Sequence, residues 1–574
     1  MIKIVMISFL IFFVKSNATI LNVGVNKTFS TIQSAINASS NGDSVLVQEG
    51  TYNENIIFIG KKILVASIDE IEHINFIQST IIKGTGASST VKFINKEDST
   101  SVLKGFAIEN GNAQGIDSDT SSGLGGGIFC LNTSPQLNDL ILAYNHATYY
   151  GGGLYLENSF SKVTNVSIYY NKSNSGGGLM IRGGAPDLEN IIVNSDSATM
   201  MGAGIFIGYN SNAILNNVDV SYNALDTLPA LSNGPGGGIM IWQNSNPTLI
   251  NVNVHNNLAK SGGGIACWYG SQPNFISVKI VNNTLKGKSN LSSNGGGGGL
   301  EIWESNVIVK NTLIAKNRAL EGGGVFITAS NTKFINVTFA DNEATIYGKG
   351  GAIYKGWGGT MNIINSIMYN NWAPLNSSPT RADNIYDCGN ECVQELTPTN
   401  INISYSLIEN GLNTITDSTA LNYDATNINS NPFYNLTTYQ LLPNSPCRDA
   451  GTIDISSLSL PSTDLGGNPR ISNCRIDMGA YEYDTTSNCN TAIKQEISNN
   501  NRPVTIQHNI NSLIITNPNL LKNTLTIFTI SGRTIAHYLF HKKFQEIKII
   551  YTKGFYLYKL ENKKETLIEA FIVK

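Results

Sequence analysis

Three of the chain's five tryptophans stand at one register. Trp242, Trp268 and Trp303 close the phrases GGGIMIW, GGGIACW and GGGLEIW, each three residues after the first aliphatic residue. Side chains along a strand alternate between two faces. Stacking the phrases would therefore line the tryptophans on one outer face at ~4.8 Å intervals. Earlier phrases put Glu157 and Arg182 into the same column, and Glu301 stands two positions before Trp303, with Glu304 and Lys310 beyond it. Aromatic rings suit the apolar faces of sugars, and carboxylates and a guanidinium can hydrogen-bond sugar hydroxyls. Trp242, Trp268, Trp303, Glu301, Arg182 and Glu157 are therefore the candidate ligand-binding residues. The other reading is packing. Two enlarged repeats carry their extra residues near 224–234 and 284–294, and these loops can either wall a groove or close over the rings as a second small core.

No catalytic set can be read, so the catalytic residues are unknown. His73, His146 and His255 are isolated from one another in sequence. The glycine runs precede strand-like stretches rather than helices, which makes them corners and not phosphate cradles. Seven cysteines are thinly spread. Cys130 and Cys267 fall in core columns, as packed thiols do. Cys388 with Cys392, or Cys447 with Cys474, could pair in an oxidising compartment. No histidine pair accompanies them at zinc spacing, so no metal is expected, and calcium finds no motif to hold it. With 14% charged residues and a formal net charge of −3, the chain gives no sign of electrostatic nucleic-acid binding.

The elements that must position these residues repeat. Glycine-opened phrases begin at Gly125, Gly151, Gly176, Gly202, Gly236, Gly262, Gly297, Gly322 and Gly350, with successive spacings of 26, 25, 26, 34, 26, 35, 25 and 28 residues. A near-fixed period with two longer intervals is the signature of a solenoid that tolerates insertions at one turn. Two columns are apolar and predicted to face inward: Ile128 to Ile353, and Cys130 through Ile327 to a lone Lys355. The positions between them, Glu301 included, are predicted to face out. A third register holds Asn145, Asn171, Asn223, Asn257, Asn283, Asn317, Asn342 and Asn371, with Asp196 in the slot once. Asparagine accepts a left-handed turn, and its stacked amides can bond along an axis as a ladder. These features predict a parallel β-coil of about thirteen rungs.

On these phrases the chain resembles the right-handed parallel β-helices of the pectin-lyase-like superfamily over 19–484. FINVTFADNEA at 334–344 and GGAIY at 350–354 are also similar to repeats of polymorphic outer-membrane proteins. The implied fold class is all-β: a right-handed parallel β-helix with an N-terminal helical cap, followed by a small C-terminal β-sandwich. The stretch 29–56 resembles the family's cap, with Ile32, Ala35 and Ile36 on one helical face. Enzymes of the superfamily carry paired aspartates with an arginine, aspartate clusters, or a basic residue beside carboxylate-bound calcium, and none of these motifs occurs here. The closing segment, PNSPCRDAG through CRIDMGAYEY at 443–483, resembles that of secreted choice-of-anchor β-helices, where it ends the coil. Its Asp477, Glu482, Arg470 and Arg475 read as a salt-bridged structural cap.

Residues 1–18 read as a signal peptide: Lys3, an apolar run over 4–14, and the Ser16-Asn17-Ala18 site. Residues 485–503 form a polar linker. Residues 504–574 resemble the C-terminal sorting domain of type IX secretion cargo, although the usual proline-asparagine-proline entry is reduced to Asn517-Pro518-Asn519. Taken together, these readings predict a secreted or outer-surface protein with no transmembrane segment in its mature form. Its partners would be the type IX machinery and a polysaccharide or cell-surface glycan. The expected role is non-catalytic glycan binding or adhesion, the alternative being a polysaccharide lyase or glycoside hydrolase.

Overall fold

The computed structural model describes residues 18–68, 79–86, 88–115, 122–226, 234–285, 296–345, 349–373, 384–388, 399–416, 420–471 and 475–483, together with seven strands between 505 and 573. The chain divides into two compact units, one running to Ile471 and resuming over Arg475–Tyr483, the other C-terminal.

Each glycine phrase is a corner followed by a short strand. The first glycine turns with positive φ, as at Gly151 (66°). At the second, a Cβ would land on the next rung's carbonyl, as Gly152 would on Gly177 O. Glycine suits both positions, although Ala203 fills the second in one rung. The strands that follow (Ile128–Leu131, Leu154–Glu157, Leu179–Arg182, Ile205–Gly208, Ile239–Trp242, Ile265–Trp268, Leu300–Trp303 and Val325–Thr328 among them) pair in parallel in a sheet of thirteen. A second parallel sheet of twenty strands and a third of nine complete the triangular circuit. Parallel strands joined by such crossovers coil right-handed. The first unit is a right-handed parallel β-helix. Both predicted inward columns are buried in its lumen, Cys130 and Cys267 included, as free thiols. Lys355 is buried too, with its Nζ donating to the Gly356 and Gly358 carbonyls.

The asparagine register forms the ladder. Asn145 Nδ2 donates to Asn171 Oδ1 (3.0 Å), Asn171 to Asp196 Oδ1 (2.9 Å), Asn223 to Asn257 (3.0 Å) and onward to Asn371. Each amide except that of the Asp196 rung also donates to a lumen-strand carbonyl, such as Ile108 O from Asn145 and Val193 O from Asn223. One buried side chain thus satisfies the corner of two rungs.

The helix Ile32–Ala38 buries Ile32, Ala35 and Ile36, as its pattern predicts. Its N-terminal amides are taken by the Glu54 carboxylate (Ile32 N 2.8 Å, Gln33 N 2.9 Å), a charge well placed against the helix dipole.

The closing segment departs from expectation. It does not stop the coil end-on but folds back along the outer face of the long-strand sheet. Ala480 N donates to Thr338 Oγ1, Thr452 N to Asn365 Oδ1, Arg470 Nη2 to Asn311 Oδ1 (2.7 Å) and Lys310 Nζ to Ser459 O. The reason is apolar surface: Leu313, Ala315, Ala340, Ile367 and Leu407 on that face are covered by Tyr434, Tyr439, Met478 and Tyr481. Beneath this strap Arg470 pairs with Glu482 at 3.2 Å. Burial, only partly offset by Arg470, pushes Glu482 up to about 9. Asp477 rises to about 6 for the same leading reason. Here Arg470 acts as a structural anchor, as its sequence context suggests.

Cys388 is disulfide-bonded, and its sequence-predicted partner Cys392 lies outside the described residues. Cys447 is a buried free thiol, which removes the alternative Cys447–Cys474 pairing. The C-terminal unit contains antiparallel sheets of three and four strands, including Thr505–Asn509 and Thr534–Phe540, which the alternation did not reveal.

Candidate functional site

The register of the short-strand sheet puts the predicted residues in one column. Leu131 pairs with Glu157, Glu157 with Arg182 and Arg182 with Gly208; further along, Trp242 pairs with Trp268, Trp268 with Trp303 and Trp303 with Thr328. The three indoles form a run, with ring centres 5.9 Å apart from Trp242 to Trp268 and 5.5 Å from Trp268 to Trp303.

The neighbouring outer column corrects the sequence reading. Phe129, Tyr155, Met180, Phe206, Met240 and Ala266 point away from the lumen yet are buried, and with Trp268 they make a second core. Leu124, Tyr149, Tyr150 and Met201 pack into it, so a face that would otherwise be solvated is largely closed. Trp268 is 8% exposed and Glu301 3%, whereas Trp242 and Trp303 are half-buried. The extra residues of the enlarged repeats, 227–233 and 286–295, lie outside the described residues. Lys310 is not at this site, because its long strand turns it to the strap. His73 also lies outside the described residues.

What stays open is a strip along the rim of this core. Tyr269, at a left-handed corner (φ 56°), is exposed and stands edge-on to Trp242 at 4.7 Å. Two rungs earlier than Trp268, the Tyr209 ring lies under the Arg182 guanidinium at 4.5 Å. Arg182 also faces Glu157 (Nε to Oε1, 3.8 Å), and Glu157 accepts from Tyr155 Oη at 2.7 Å. Glu157 and Arg182 are thus brought together as a pair. Tyr209 and Tyr269 were missed because they follow the column by one residue. Their signal was the corner position, where an aromatic side chain is tipped outward.

Glu301 sits inside the core edge. Its carboxylate accepts from Ser261 Oγ, and burial pushes it up to about 7 against that hydrogen bond. The Trp268 indole N–H lies close enough to lower the carboxylate but not in hydrogen-bonding geometry. Trp303 Nε1 is likewise buried without an acceptor. Among the described residues no group of three or more His, Cys, Asp or Glu is arranged to hold a metal.

Residues 126–367 match the family of the right handed beta helix region. That span contains every residue of the strip. No curated protein matches the chain. Among solved structures it is similar to the pectate lyase Pel9A at 13% identity, over 82% of this chain and 97% of that one, with a TM-score of 0.34. It is also similar to the catalytic unit of the thermostable GH87 alpha-1,3-glucanase from Streptomyces thermodiastaticus strain HF3-3 at 13% identity, over 69% and 66%, with a TM-score of 0.33. Scores this low leave function to be argued from the site.

Proposed function

We propose that the chain is an exported, non-catalytic carbohydrate-binding coil whose Tyr209–Trp242–Tyr269–Trp303 strip takes an extended glycan, with Arg182 and Glu157 at one end. The observation that carries this reading is the strip of half-open rings along the rim of the outer core, with Tyr269 edge-on to Trp242 and Tyr209 under Arg182. Aromatic faces that reach the surface suit the apolar faces of sugar rings. Export follows from the resemblances of 1–18 and 504–574, and a reporter fused to the latter should cross the outer membrane of a type IX-competent cell; periplasmic retention would refute that part.

A second reading, cleavage of a polysaccharide, is favoured by one observation: Glu301 is held near neutrality beside Trp268, as a general acid would be. Both readings are separated by incubating the protein with pectins, alginates and host glycans, following retention together with new reducing or unsaturated ends. Retention without new ends, lost in Trp242→Ala, is expected. New ends that vanish in Glu301→Gln would establish the second reading instead.

A further inference from the structure

A different corner of the coil carries a second aromatic row. Tyr144, Tyr170, Ser195 and Tyr222 occupy the same left-handed position in successive rungs, with φ of 56°, 57°, 57° and 56°. The three tyrosines are 57%, 54% and 58% exposed. Tyr144 and Tyr170 stack with centres 5.3 Å apart and planes 10° from parallel. Tyr222 stands edge-on to His255 of the following rung at 79°, as Tyr144 does to Tyr169 at 85°. Ser195 interrupts the row. With strands ~4.8 Å apart, the missing ring leaves a slot of about 10 Å between the Tyr170 and Tyr222 positions.

The floor of the slot is polar and pre-ordered. Ser195 Oγ donates to Asn194 Oδ1, Asn194 Nδ2 to Ser221 Oγ, and Ser221 Oγ to Asp219 Oδ1 (2.7 Å). Asn253 Nδ2 (2.8 Å) and His255 Nε2 (3.1 Å) hold the other Asp219 oxygen.

We propose that this slot is a carbohydrate site, distinct from the tryptophan strip, that receives one neutral hexopyranose ring between Tyr170 and Tyr222. Width decides the occupant. A flat aromatic ring touching both tyrosines needs only about 7–8 Å between their planes, two carbon contacts of ~3.5–4 Å. A chair, with carbons and axial hydrogens on both sides of its mean plane, fills the larger gap. The floor supplies side-chain hydroxyl and amide groups for its edge, and the Asp219 carboxylate repels a uronate.

The test fills the gap. Ser195→Tyr restores the ring that neighbouring rungs already carry at the same φ. Full-length protein is titrated with methyl glucoside, galactoside and mannoside, with neutral hexaoses of the same sugars, and with a galacturonate hexamer. At least one neutral sugar should bind, with Ser195→Tyr lowering its affinity at least about tenfold, the worth of two ring contacts, and melting unchanged or raised. Tyr222→Ser should weaken the same sugar, while Trp242→Ala should not. Equal affinity in Ser195→Tyr and wild type, preference for the galacturonate, or loss confined to Trp242→Ala would overturn the proposal. So would a failure of every neutral sugar to bind, even if the tryptophan strip retains a polymer.

Discussion

Replacing Asp196 by asparagine should make the protein more stable, and increasingly so as pH rises. Asp196 is the one carboxyl in the buried ladder. Its Oδ1 accepts from Asn171 N (2.7 Å) and Nδ2 (2.9 Å), but Oδ2 has no partner. In the flanking rungs the equivalent atom is an amide nitrogen donating to Leu142 O or Val193 O. The strand register places the Ile168 carbonyl opposite Asp196 Oδ2, one acceptor against another unless the acid keeps its proton. Burial accordingly raises Asp196 well above its usual 3.8. The folded state then holds a proton that the unfolded chain releases, so stability is full below the unfolded value and falls as pH rises. The slope is about 1.4 kcal/mol per pH unit until the folded carboxyl ionises. The amide introduced by Asp196→Asn would not titrate, and its Nδ2 would donate to the Ile168 carbonyl at every pH, as the acid does only while it keeps its proton. Urea midpoints of wild type and Asp196→Asn at pH 5 and pH 6 give the difference slope, in which other titrating groups cancel. A parallel pH dependence in the two proteins, or a variant less stable than wild type at pH 6, would refute the reasoning.

Four further outcomes follow from the packing. Ile241→Asp buries an unpaired charge in the lumen and should abolish folding, seen as loss of the strand signal in circular dichroism. Met240→Asp and Thr328→Asp, mild if their two outward columns were solvated, should each cost several kcal/mol in denaturant melts, because both residues are buried. In the strap, Arg470→Ala should cost about 2–5 kcal/mol, because Asn311 Oδ1 and Ala480 O would each lose a buried donor and a cavity would open. Glu482→Gln should change stability little at pH 7, because Glu482 already holds its proton there.

The lumen, the ladder and nine of the thirteen short strands were legible in the sequence because each is a one-residue rule repeated at fixed spacing, and the helical cap because its apolar residues share one helical face. The tryptophan column was legible for the same reason. Whether that column was open was not, since the cover comes from corner residues such as Leu124, Tyr149 and Tyr150, whose positions follow no strand alternation. Lys310 and the closing phrase were misplaced for a related cause. Alternation says which side of a strand a residue takes, but not which distant segment lies against it, and the strap reaches Asn311 from 159 residues away. Ser195 was passed over because a gap in a row is visible only once the row exists.

The most direct measurement of the binding role is tryptophan emission during titration with glycans retained by the protein. Two of the strip's indoles are half-buried, so a bound sugar should exclude water from them. The account predicts a saturable blue shift, abolished in Trp242→Ala and preserved in Ser195→Tyr. Saturating retention with no change in emission would place the glycan elsewhere and contradict it.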